Sequence, residues 1–143
     1  MERIGYNMEI AIISSDTKKL LMTEFCMAYC GILSRHQICA TAITGKYISE
    51  STGLNIEKLL TGSRGGSDQI ASRITYNEVD LLIYFGDPNK EEEYTEVEMN
   101  LIRLCDMYNV PVATNIATAE ALVFALDRGD LDWRQNIKKE KRR

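Results

Sequence analysis

The chain has 143 residues, 45% of them apolar, with a formal net charge of -4, one histidine and four cysteines. That length encloses one core and leaves too little for two ordinary domains, and the acidic balance excludes the broad basic footprint with which a protein grips a nucleic-acid backbone. No apolar run approaches the roughly 20 residues that cross a bilayer, and residues 1–6 lack the apolar stretch of a signal peptide, so a cytoplasmic protein without a membrane partner is expected.

The chain alternates short apolar runs with longer amphipathic stretches, the pattern of strands joined by crossover helices. The expected fold class is α/β: one compact domain over residues 8–134 with a central, mainly parallel sheet flanked by helices. After an extension over residues 1–7, residues 8–13 read as a buried strand, and Ser14, Ser15 and Asp16 offer N-caps for a helix reaching about residue 33. Cys26 and Cys30 stand four apart on that helix. With no histidine or further cysteine pair beside them they read as buried thiols, not metal ligands. Cys39 and Cys105, also inside apolar segments, read the same way. The sole histidine, His36, precedes a short strand over residues 38–41, at the end of the sheet away from the ligand loops, and is assigned a structural role.

Thr44-Gly45 follows as a loop, then a helix over about residues 47–51 and a third strand over 56–60. The turn Thr61-Gly62-Ser63-Arg64-Gly65-Gly66 leads into a helix over about 67–76. Residues 81–85, Leu-Leu-Ile-Tyr-Phe, form the clearest strand, covered on both faces and expected at the centre of the sheet. A loop over 86–94 contains the run Lys90-Glu91-Glu92-Glu93, read as solvated. It precedes a helix over 97–108 with Leu101, Leu104 and Cys105 at core spacing. The last strand is expected at 110–114, with Thr118 capping a helix to about residue 126. Residues 135–143 make a basic tail, expected to be frayed or disordered.

In such a sheet, ligands bind beyond the carboxyl ends of the strands. Four loops there carry suitable groups, at residues 14–19, 41–45, 61–68 and 86–88. Hydroxyls, glycines that free backbone N–H groups, a lysine and helix N-termini together make an anion site, because donors and helix dipole both favour negative charge. A phosphate-bearing small molecule is the expected partner. Lys19, one turn into the first helix, either folds its ammonium back to a phosphate or stays solvated. Asp87-Pro88 is either a turn former or a ligand-site carboxylate, and Arg64 faces either a second anionic group or solvent. One histidine so placed assembles no Ser/His/Asp or Cys/His nucleophilic set.

Several segments resemble the methylglyoxal synthase family, in register from about residue 8 to 133. They are Ser63-Arg64-Gly65-Gly66-Ser67-Asp68-Gln69-Ile70, Phe85-Gly86-Asp87-Pro88, Leu101-Ile102-Arg103-Leu104-Cys105-Asp106 and the stretch from Val110 to Glu120. The resemblance implies a hexamer with no metal or organic cofactor, converting dihydroxyacetone phosphate to methylglyoxal and phosphate. That reaction needs a carboxylate base beside the carbonyl and donors for the enediolate and the phosphate.

Carried over residue by residue, the family's phosphate lysine falls on Lys19, its threonines on Thr41 and Thr44, its Ser-Gly pair on Thr61-Gly62 and its glycine turn on Gly65-Gly66. Ile43 replaces a threonine. The base position falls on Ser67, a hydroxyl with no useful basicity near neutral pH. Asp68 stands one residue late, turned by about 100° around the helix. A His-Asp pair falls on Ser15-Asp16, a later histidine on Tyr94, and the aspartate after it on Val97, between Glu96 and Glu98. The leading expectation is a protein that binds a phosphorylated small molecule, of triose phosphate or nucleotide type, without normal synthase turnover. The alternative is an active synthase in which Asp68 serves as displaced base with help from Asp16 and Asp87.

Overall fold

The computed structural model describes residues 7–89 and 93–141, the side chains of 93–95 and 139–141 excepted. Most of the N-terminal extension, the run Lys90-Glu91-Glu92 and the side chain of Tyr94 lie outside the described residues.

Five strands form one parallel sheet: β1 (Glu9–Ser14), β2 (Gln37–Ala40), β3 (Ile56–Lys58), β4 (Leu81–Phe85) and β5 (Val112–Ala113). Their order is β3-β2-β1-β4-β5. The chain winds outward from β1 to β3, then crosses back to β4 on the other side of β1, which creates a crevice at the carboxyl ends of β1 and β4. The register sets Ile12 against Ala40 on one side and Ile83 on the other. β1 therefore holds the centre that residues 81–85 were expected to take. An apolar run reports cover on both faces, a property of every interior strand and not of the middle one alone.

The helices are α1 (Lys19–Ala28), α2 (Cys30–Leu33), α3 (Ala42–Thr52), α4 (Gly66–Thr75), α5 (Glu93–Tyr108), α6 (Ile116–Arg128) and α7 (Arg134–Lys141). Alternate strand residues divide between two cores, as the period of two requires. Ile10, Ile12, Ile83 and Phe85 pack with Phe25 of α1, Leu33 of α2, Ile48 of α3 and Val123 of α6. Ala11, Ile13, Leu82 and Tyr84 pack with Ile70 and Ile74 of α4 and with Leu101 and Cys105 of α5. Each fully buried side chain of the Ile70 or Phe25 kind contributes about 1.5–3 kcal/mol.

The first long helix is broken into a 3-10 turn, Asp16–Lys18, followed by α1 and α2. α3 begins five residues earlier than expected, so the Thr44-Gly45 loop is its first turn. Glycine disfavours helices by about 1 kcal/mol, but here it lets α3 lie against β3. A Cβ at Gly45 would stand 3.1 Å from Lys58 Cγ and 3.2 Å from Ile56 Cγ2. α6 is capped by Asn115 instead of Thr118: the Asn115 side chain accepts from Thr118 N at 3.0 Å. His36 Nδ1 accepts from Met8 N at 3.0 Å, tying the entry of β1 to that of β2.

The expected frayed tail is instead helical to Lys141, as α7. Arg134 is 1% exposed and meets the fully buried Asp80. Its Nε donates to Asp80 Oδ1 at 3.1 Å, its Nη2 to Val79 O at 3.1 Å and its Nη1 to Asn109 O at 2.5 Å. Lys138 Nζ donates to Asp80 Oδ2 at 2.6 Å, and that oxygen also accepts from Glu9 N at 2.9 Å. A buried carboxylate persists only with such partners. Charge pairing docks a helix that its own apolar content could not hold. No helix among the described residues is long and apolar enough to cross a membrane.

Candidate anion site at the carboxyl ends of the strands

Three successive strand ends repeat one backbone device. Ser15 after β1 (φ -67, ψ 163), Thr41 after β2 (φ -59, ψ 148) and Thr61 after β3 (φ -61, ψ 153) are each extended and each stand at the N-cap of a helix or 3-10 turn. None of the three side chains caps its own helix. The leading N–H groups of a helix lack intrahelical acceptors and carry a partial positive charge. Residues from all three helical starts line one cavity of about 330 Å³, a size suited to a small metabolite.

The third strand end is the most constrained. A 3-10 turn, Gly62–Arg64, gives way at Gly65 (φ +108) to α4. That left-handed conformation favours glycine. At Gly66 the requirement is steric: a Cβ would stand 2.1 Å from Leu60 O and 2.9 Å from Thr61 O. Gly66 N donates to Thr61 O at 2.8 Å, which closes the turn. Gln69 Oε1 accepts from Leu60 N at 2.8 Å and ties α4 back to the end of β3.

Lys19, its side chain 15% exposed, lines the cavity and pairs with the carboxylate of Asp16, which is 72% exposed. Hydroxyls form a chain beneath it. Ser14 Oγ and Thr44 Oγ1 share a hydrogen bond of 3.0 Å, and Thr41 Oγ1 donates to Thr44 Oγ1 at 3.4 Å. The buried Thr61 Oγ1 has no hydrogen-bond partner among the described residues. An unpartnered buried hydroxyl costs about 1–3 kcal/mol, so it marks a place where an acceptor or donor is missing. Ile13, Ile43, Tyr84 and Val97 also line the cavity.

Of the residues singled out in the sequence, Asp16, Lys19, Thr41, Thr44, Thr61, Gly62 and Ser67 come together around this cavity. Gly65 and Gly66 shape its turn from behind. Asp68 is exposed and does not belong to the lining. Asp87 also stands outside the lining, accepting from Thr17 Oγ1 at 2.8 Å and from Asn89 N at 2.9 Å. It clasps the loop after β4 to the loop after β1. Arg64 is exposed and outside the lining as well. The sequence reading missed Ile13 and Tyr84 as site residues. Their signal is positional, since both lie on the same face of adjacent strands near the carboxyl ends.

A larger hollow of about 740 Å³ lies around the amino ends of β1 and β2, lined by Glu9, His36, Gln37, Cys39, Glu57 and Arg73 among others. There Arg73 grips Glu57 with two hydrogen bonds, of 2.9 and 2.5 Å. Hydrogen bonding to that guanidinium holds Glu57 below the usual carboxylate range. Burial pushes the thiols of Cys26 and Cys105 up to about 12 and that of Cys39 up to about 11.

Comparison with known proteins gives the same architecture a family. The family model of the MGS-like domain matches residues 22–114. The methylglyoxal synthase of Caldicellulosiruptor saccharolyticus is 49% identical over 130 residues, covering 91% of this chain and 92% of the relative. That of Alkaliphilus metalliredigens is 47% identical over 131 residues, covering 92% and 98%. That of Clostridioides difficile is 44% identical over 136 residues, covering 95% and 99%. Among solved structures, the methylglyoxal synthase from Elizabethkingia anophelis NUHP1 matches with a TM-score of 0.74 at 29% identity, over 84% of this chain and 79% of that one. Matched along nearly its whole length and in its sheet, the chain belongs to the MGS-like domain family.

Proposed function

We propose that this chain binds a small phosphate-bearing molecule in the cavity at the strand ends, and that it does not carry out the synthase elimination at an ordinary enzymatic rate. The observation that carries the binding is the buried, unpartnered Thr61 hydroxyl, set among three uncapped helical starts with Lys19 beside it. A phosphate supplies acceptors for all of these donors at once.

The elimination asks for more. A base must take a proton from the carbon beside a carbonyl, and donors must hold the enediolate while the C–O bond to phosphate breaks. Ser67, onto which the resemblance carries the family's base, lines the cavity. Its hydroxyl can donate a hydrogen bond but cannot hold a proton taken from carbon near neutral pH. Losing a positioned base lowers the rate by about 10²–10⁴.

A second reading, an active synthase, is favoured by the synthase relatives at 44–49% identity and by Asp16, whose carboxylate lines the cavity. Asp68 would serve in it as displaced base, assisted by Asp16 and Asp87, although neither Asp68 nor Asp87 belongs to the lining. Methylglyoxal formation from dihydroxyacetone phosphate separates the two readings. The binding reading expects a trace rate that rises at least about 100-fold in Ser67→Asp. Ordinary turnover abolished by Asp68→Asn or Asp16→Asn would establish the synthase reading instead. A hexameric assembly belongs to the same proposal, and light scattering in solution checks it.

A further inference from the structure

Among the described residues, the lining of the cavity holds one cation and one carboxylate, Lys19 and Asp16, and the two are paired with each other. Both are held by the fold. Asp16 opens the 3-10 turn Asp16–Lys18 after β1, and Thr17 within that turn donates to Asp87 Oδ2 at 2.8 Å, which anchors it to the loop after β4. Lys19 starts α1. An anion that reaches the ammonium of Lys19 therefore arrives beside the carboxylate of Asp16. The serine and threonine hydroxyls of the lining serve as donors or acceptors, whereas an ionised carboxylate only accepts. Asp16 is thus the one member of the lining that repels an anion, unless the anion brings a proton to it.

Resting on the reading that this cavity holds a phosphate, we infer that Asp16 is a specificity-determining residue: it accepts a hydrogen bond from the bound ligand, so the site takes oxyanions that carry a proton, hydrogen phosphate in preference to sulfate. Inorganic phosphate keeps at least one P–OH at neutral pH, and sulfate, also tetrahedral, has no proton to give. With phosphate, a proton lies between the two anionic groups and replaces their repulsion by a charge-assisted hydrogen bond. With sulfate, two bare anions share one lysine. A phosphate ester meets the same requirement with the proton of its monoanion or with a hydroxyl on its organic part.

The test is a calorimetric titration of the full chain with inorganic phosphate and with sulfate, at neutral pH and constant ionic strength, repeated with Asp16→Asn. Phosphate is expected to bind at least about tenfold more tightly than sulfate. Asp16→Asn keeps the shape of the side chain and removes its charge, and at this exposed position it keeps the fold. In that variant sulfate gains, and the two affinities converge to within about threefold. If Asp16 only held the turn in place, its loss would shift both affinities by the same factor and leave their ratio as it was.

If phosphate binds and sulfate binds at least as tightly, the inference about Asp16 falls while the phosphate reading stands. If phosphate fails to bind, the phosphate reading falls and takes the inference with it. A preference for phosphate that persists undiminished in Asp16→Asn would also overturn the assignment of the selectivity to this carboxylate.

Discussion

Thr61 is the residue at which stability and function part company. Its buried oxygen has no partner, so Thr61→Val, close in shape, should raise the stability of the ligand-free protein by up to about 1 kcal/mol in urea denaturation. The same change should weaken phosphate binding about tenfold, because a donor to the anion is gone. Gly66→Ala should behave in the opposite way. Its Cβ would lie 2.1 Å from Leu60 O, against backbone that cannot yield cheaply, and the expected loss is about 2–4 kcal/mol together with the turn that shapes the cavity.

The thiols give a pH signature at the same scale. Burial raises Cys26 and Cys105 to about 12 and Cys39 to about 11, above the ordinary 9.0. The folded state thus holds protons that the unfolded state releases. The stability tied to these neutral thiols is complete below pH 9.0 and declines as pH climbs toward 11 and 12. Thiolate absorbance at about pH 10 should be nearly absent for these three cysteines in the native protein and appear on unfolding.

At this scale the hydroxyls and Lys19 that line the candidate cavity, and the glycines of its turn, were legible, because strand ends that open helices carry recognisable residue types. The apolar part of the lining was not. Ile13 and Tyr84 look like core residues in any sequence, and nothing before the fold brings Ile43 and Val97 together.

Among the elements, α7 shows what charge can do that periodicity does not announce. Its residues are so polar that the sequence reads as a tail, yet Arg134 and Lys138, one helical turn apart, both reach the buried Asp80. Removing that carboxylate leaves a guanidinium without its ionic partner in a site 1% exposed. Asp80→Ala should therefore cost about 3–5 kcal/mol in chemical denaturation. Lys138→Met, at a position that is only 13% exposed, should cost about 1 kcal/mol, since Arg134 still pairs with Asp80. If both variants matched the parent protein, α7 would not be docked through this carboxylate.

The start of α3 was hidden for a different reason. Thr44-Gly45 has the composition of a turn, and only packing against Ile56 and Lys58 makes a glycine useful inside a helix. The same packing brings Thr41 and Thr44 onto one helical start and so into the site.

For the molecule as a whole, the alternation of apolar runs with amphipathic stretches was enough to specify a parallel sheet between two layers of helices. The order of the strands was not in that pattern. It follows from the crossovers, which place β1 at the centre and open the crevice beyond the carboxyl ends of β1 and β4, whose following helices α1 and α5 pack on opposite faces. Loops after three strands, β1, β2 and β3, line the cavity there, and a ligand held by all of them would stabilise the sheet by mass action.

Thermal unfolding of the purified protein, titrated with inorganic phosphate and repeated with Lys19→Ala, tests this most directly. Binding predicts a midpoint that climbs with phosphate, corresponding to about 2.7 kcal/mol at 100 times the dissociation constant, and a gain largely lost in Lys19→Ala. A midpoint that neither phosphate nor dihydroxyacetone phosphate moves would contradict the account.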